Sequence, residues 1–156
     1  MVLSLPEPRG RLVNERQRNI VDELRASPAL RTVMNAKICL LVASLALAVA
    51  VGLGAFGAHA MKSRLAPDML AVYQTAVQYH FWHALGLFAL GLLMLQWDAP
   101  VLNLAGWLLL AGLILFCGSL YLLALTGARW LGAITPLGGV LSIVAWLVVA
   151  WVAWLR

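Results

Sequence analysis

Four stretches of this chain carry no charged side chain: residues 38–61, 69–97, 99–128 and 130–155. Each is longer than the roughly 20 apolar residues with which an α-helix crosses a hydrocarbon core about 30 Å thick. Few charges separate them: Lys62, Arg64, Asp68, Asp98 and Arg129, with Arg156 closing the chain. In hydrocarbon, backbone polar groups must bond within the protein, so long uncharged stretches fold as helices. At 63% hydrophobic in 156 residues, the chain carries more apolar surface than a soluble domain of this size hides. The expected fold is an all-α, integral membrane four-helix bundle covering residues 36–156. Spans are expected at about 38–57, 80–97, 104–125 and 130–155.

Residues 1–35 read differently. Charges of both signs alternate from Glu7 to Arg31, and Pro6, Pro8 and Pro28 flank a weak apolar stripe of Val13, Ile20, Val21 and Leu24. A polar, partly disordered tail with a short surface helix is expected. Met34 offers a second start that would remove this tail. Seven of the eleven Lys and Arg residues lie at or before Lys37. That pattern suits anionic head groups and positive-inside anchoring, and no motif beside it reads nucleic acid. With the tail inside, the inner side carries eight Lys/Arg and the outer side three, Lys62, Arg64 and Arg129. Both termini are then cytoplasmic. Starting from Met34, the inner count falls to two and the orientation is undecided. Ala58-His59-Ala60 has the form of a signal cleavage site, but the apolar run before it exceeds the roughly 7–15 residues of a signal h-region. It is read as a span.

Between the first two spans, Pro67 suits a first helical turn and Asp68 its positive end. Met69, Tyr73, Ala76, Val77 and His80 follow helical spacing. Residues 62–79 are therefore expected as a short interfacial helix feeding the second span. In the first span Ala46, Ala50, Gly54 and Ala58 recur at i+4, a small-residue face that lets helix backbones approach. Thr135-Pro136 should distort the first turns of the fourth span. Cys39 and Cys117 fall at different depths, so they are expected as free, buried thiols.

Up-and-down folding of four spans would gather the uncharged polar residues at one membrane face. Its members include His59, Tyr79, His80, His83, Ser119, Tyr121 and Thr135. The candidate polar face is taken as His59, His83, Tyr121, Arg129, Thr135 and Pro136, with no role assigned. Three imidazoles are a potential zinc or copper set, but their spacing matches no metal signature and no fourth ligand is evident. No catalytic, cofactor or metal site is assigned, and no cofactor is expected. There is no Ser-His-Asp set, no paired carboxylates and no phosphate loop. No Asp, Glu, Lys or Arg lies within a span, which counts against an ion-coupled exporter.

Specific strings add to this. Gly52-Leu53-Gly54-Ala55-Phe56-Gly57-Ala58-His59-Ala60, Tyr79-His80-Phe81-Trp82-His83-Ala84-Leu85, Gly118-Ser119-Leu120-Tyr121 and Leu131-Gly132-Ala133-Ile134-Thr135-Pro136-Leu137-Gly138-Gly139 occur in that order. Together they resemble the YgdD-like family, also called domain of unknown function 423, with transmembrane protein 256 as its eukaryotic relative. The likeness covers residues 34–156. It implies a multi-pass bacterial inner-membrane protein with four spans, and it supplies no reaction. It also implies firmer counterparts for His59 and His83 than for His80, and a shorter start than this tail. The expected function is that of a non-enzymatic structural or interaction component. The alternatives are a small transporter or channel subunit, and a metal or redox protein using His59 and His83. Expected partners are the lipid bilayer and a second copy or another membrane protein, with no nucleic acid.

Overall fold

The computed structural model describes residues 35–156; the expected tail up to Met34 lies outside the described residues. The described chain is all-helical. Helix α1 (Ala36–Phe56) opens on Asn35, whose side-chain oxygen accepts the Ile38 N–H at 3.0 Å. It runs without proline or charge after Lys37 and widens into a π-helical turn, Gly57–Met61. There the Gly57 N–H is shared between the Gly54 and Leu53 carbonyls. Helix α2 (Pro67–Gln96) starts on Pro67, which has no N–H to leave unpaired in a first turn. Helix α3 (Val101–Thr126) stops at Gly127, which takes the left-handed φ of 72° and returns its N–H to the Leu123 carbonyl. A 3₁₀ turn, Arg129–Ala133, leads into α4 (Thr135–Trp154).

Among the described residues, three stretches are long and apolar enough to cross a membrane: Ala36–Met61, Val101–Thr126 and Arg129–Trp154. They correspond to the expected first, third and fourth spans. The longest helix, α2, is less apolar because it carries Gln74, Gln78, His80 and His83. The expected second span, 80–97, is the latter half of this helix.

Here the structure corrects the reading of the sequence. There is no separate interfacial helix: residues 67–79 are the first turns of the continuous α2. No proline or glycine lies between Asp68 and Gly86, so nothing breaks the helix where its polarity rises. The amphipathic face was nonetheless legible, since Tyr73, Ala76 and His80 are all buried. Nor does Pro136 distort an existing helix. It starts α4, and the preceding residues form the 3₁₀ turn instead. A proline ring would collide with the carbonyl four residues back, so the α-helix begins where that collision disappears.

Each helix packs on its neighbour in sequence: α1 on α2, α2 on α3, α3 on α4. Helices α1 and α4 share no extended contact. Two glycines of α3 and α4 bring those helices together. A Cβ at Gly138 would press into the Phe116 backbone nitrogen, and one at Gly112 into the Ser142 hydroxyl. Such contact is how membrane helices associate where burial from water supplies no drive.

The core divides along the helix axes. Toward the start of α1 it is apolar, built from Cys39, Ala43, Leu87, Leu90, Leu102 and Leu109 with Ala145 and Val152. Toward the π turn a second, smaller cluster forms around Met61, Tyr73 and Ala124. Both cysteines are free and buried, and the Cys39 thiol donates to the Leu87 carbonyl at 3.2 Å.

Candidate functional site

His80 and His83 bracket the middle of α2 and diverge from it. Residues three apart on a helix differ by about 60° in direction, enough to face different neighbours. His83 turns to α4. Its Nδ1 lies 2.7 Å from the Tyr79 carbonyl oxygen and its Nε2 2.9 Å from the Ser142 hydroxyl. A carbonyl only accepts, so Nδ1 carries the proton; in the neutral ring Nε2 is then a lone pair. The buried Ser142 hydroxyl has one proton and two acceptors in reach, His83 Nε2 and the Gly138 carbonyl at 3.1 Å. Phe116 stacks obliquely on the imidazole, with ring centroids 5.7 Å apart.

His80 turns toward α3. It is 6% exposed, and its Nδ1 lies 3.4 Å from the Tyr121 hydroxyl. Its Nε2 is buried without a hydrogen-bond partner. Tyr121 meets Tyr73 edge to face at 5.3 Å. Tyr73 in turn donates to the Leu53 carbonyl at 2.9 Å, one of the two carbonyls between which the Gly57 N–H is shared as α1 widens. Gly57 makes that possible: a Cβ there would stand 2.6 Å from the Tyr73 ring. The small-residue face of α1 therefore runs through Ala50 and Gly57, both buried, and not through Ala58, which is exposed. A strict i+4 spacing drifts about 40° per step on a helix of 3.6 residues per turn, so its last member leaves the buried face.

The third polar contact joins α3 to α4. The Ser119 hydroxyl donates to the Phe116 carbonyl at 3.0 Å and lies 2.8 Å from the Thr135 hydroxyl. Among the expected site residues, then, His83, Tyr121 and Thr135 are in interhelical hydrogen bonds. The other three are not gathered with them. His59 is exposed in the π turn, Arg129 is exposed at the start of the 3₁₀ turn, and Pro136 is exposed in the first turn of α4. No group of three His, Cys, Asp or Glu side chains among the described residues is close enough to share a metal ion. By position along the helices, Tyr73, Thr135 and Ser142 lie within two turns of the starts of α2 and α4, Ser119 and Tyr121 within two turns of the end of α3, and His80 and His83 near the middle of α2.

Two features escaped the sequence. Ser142 is a lone hydroxyl in an apolar run, and a single polar residue has no periodicity to announce it. The other is a groove of ≈530 Å³ between the end of α1 and the start of α2. Gly54, Gly57 and Ala58 line one side of it, and the exposed amides of Gln74 and Gln78, one turn apart, line the other.

The family model described as "Protein of unknown function (DUF423)" matches residues 53–139, more than half of the chain. The chain belongs to the DUF423 family. The matched stretch of this DUF423 protein contains Tyr73, His80, His83, Ser119, Tyr121 and Thr135, and it ends before Ser142. Its relatives include the UPF0382 membrane protein YwdK of Bacillus subtilis, 45% identical over 114 residues, which covers 72% of this chain and 93% of the relative. A UPF0382 membrane protein of Staphylococcus epidermidis is 46% identical over 112 residues, covering 72% and 91%. One of Staphylococcus saprophyticus is 47% identical over 111 residues, covering 71% and 92%. No solved structure matches the DUF423 chain. With these relatives and its apolar helices, the DUF423 chain is a membrane protein, and the family description assigns it no activity.

Proposed function

We propose that this protein crosses a bacterial inner membrane four times, with both termini cytoplasmic, and acts as a non-enzymatic interaction component that associates with a second copy of itself. The four-span reading is supported by how α2 lies on α1. Gly91 of α2 stands against Leu40, and Val77 stands against Gly54, so the two run antiparallel along almost the whole of α1. A helix packed along a spanning helix in this way spans with it. The polar residues that lower the hydropathy of α2 are partly turned inward, as His80 and Tyr73 are. On this reading His80 and His83 lie near the bilayer midplane. The Lys/Arg surplus before Lys37 supports the orientation.

The observation that carries self-association is the groove beside Gln74 and Gln78. Small residues on its α1 side let another helix backbone come close, and amides on its α2 side supply polar bonds across the contact. A primary amide both donates and accepts, so two copies related by a twofold axis satisfy each other's glutamines. Tyr73, His80, His83, Ser119, Tyr121, Thr135 and Ser142 are used to tie helices together within the chain, while Ser44 and Thr75 bond back to their own helices, which supports a structural role over a conduit.

Single-molecule photobleaching in liposomes tests this. The wild-type chain is expected as dimers, and Gln74→Leu/Gln78→Leu should weaken them by about 1–2 kcal/mol. A chain that stays monomeric at every density, and that carries a solute flux abolished by His83→Ala, would support the transporter reading in its place.

A further inference from the structure

A second cleft, of ≈320 Å³, opens between α2 and α4 on a different part of the molecule from the glutamine groove. Its walls are aromatic: Tyr79, Trp82, Phe116 and Trp146. Its only other polar groups are His83 and Ser142. Trp82 and Trp146, both exposed, form its lips. Gly86 makes room for the Trp146 indole, since a Cβ there would stand 2.7 Å from the ring. The volume falls at the lower end of the roughly 300–1,000 Å³ of small-molecule sites, and aromatic walls with a few fixed polar groups are their usual lining.

We infer that this cleft binds a lipid-soluble aromatic alcohol, a phenol or hydroquinone ring whose hydroxyl donates to His83 Nε2. The geometry sets the direction of that bond. The Tyr79 carbonyl fixes the imidazole proton on Nδ1, so Nε2 offers a lone pair and selects a donor. Ser142 now occupies that lone pair, but its proton has a second acceptor in the Gly138 carbonyl at 3.1 Å. When a ligand hydroxyl takes Nε2, Ser142 turns its proton to Gly138, and no buried polar group is left unpaired. The ring itself is held by the aromatic walls, by the offset and edge contacts that flat π systems prefer. A ligand that only accepts, such as an ether or a quinone carbonyl, meets a lone pair and gains nothing there.

The test is photo-cross-linking of the full-length, detergent-solubilised chain with a diazirine-bearing naphthol, with the label mapped by peptide mass spectrometry. Labelling is expected on the peptides holding Trp82, Phe116 or Trp146. Unlabelled 1-naphthol should compete about fivefold to tenfold better than 1-methoxynaphthalene, the difference that one hydrogen bond makes. In His83→Ala that preference should vanish, while Ser142→Ala, which leaves Nε2 free, should keep or strengthen it. Gel filtration and circular dichroism establish that both variants are folded before they are compared. Equal competition by the alcohol and the ether, the same preference in His83→Ala as in the wild type, or a label spread evenly over the outer helix faces would each overturn the inference.

Discussion

The two halves of this molecule are held together by different means. The half near the start of α1 packs leucines, alanines and Cys39 with few polar contacts among the described residues, and at its end Arg156 lies over the Trp97 ring at 5.2 Å. The half toward the π turn is tied by hydrogen bonds: His83 to Ser142, Ser119 to Thr135, His80 to Tyr121 and Tyr73 to the Leu53 carbonyl. In water the first half would supply most of the stability. In lipid an outward-facing leucine is as well solvated as an inward one, so the apolar half depends on close fit alone. The polar half has both fit and direction, because each hydrogen bond fixes which residue meets which. Register of the whole assembly is therefore set in the polar half, and the apolar half follows.

Substitutions in each half sharpen the contrast. The largest loss should come from cutting fit in the apolar half: Leu109→Ala leaves a cavity at a side chain 1% exposed, and about 2–5 kcal/mol should be lost in a reversible denaturation titration in mixed micelles. Next comes Gly138→Ala, whose methyl group meets the Phe116 backbone rather than a movable side chain. About 1–3 kcal/mol is expected in the same titration, with a loosened α3–α4 contact seen as faster hydrogen exchange in α4. In a double-mutant cycle of His83→Ala and Ser142→Ala the coupling should be about 0.6–1.7 kcal/mol, as for other hydrogen bonds between membrane helices. A coupling of zero would remove His83 from the elements that set register. The smallest effect belongs to Gly118→Ala, because a Cβ there meets nothing within 4 Å. It should be neutral or stabilise by up to about 1 kcal/mol through helix propensity.

Much of this architecture is legible in the chain itself. Charges at Lys62, Asp98 and Arg129 mark the ends of the long helices because charge is the one property lipid does not tolerate. The buried face of α2 is legible from the spacing of Tyr73, Ala76 and His80. What escapes has physical causes. The polar start of α2 reads as a surface helix, because inward-facing polar groups and water-facing ones look alike in a sequence. Ala58 stands in the same series as Ala50 and Gly54, but rotation of 100° per residue carries it out and brings Gly57 in. The three histidines read as one group, whereas His80 and His83 face α3 and α4 separately and His59 stays on the exposed turn. Ser142 carries no signal until a partner on another helix is known.

The central claim is that α2 crosses the bilayer with its two histidines near the midplane, rather than lying along the interface up to Tyr79. Leu85 is well suited to test it, being 52% exposed and within a turn and a half of both histidines. A nitroxide at Leu85→Cys, in a chain whose buried Cys39 and Cys117 are replaced by alanine, reports its depth by electron paramagnetic resonance in liposomes. The account predicts high accessibility to oxygen and almost none to a water-soluble nickel chelate, with the reverse for labels at Arg64→Cys and Asp98→Cys. A label at Leu85→Cys as accessible to nickel as one at Arg64→Cys would put the middle of α2 at the membrane surface and contradict the account.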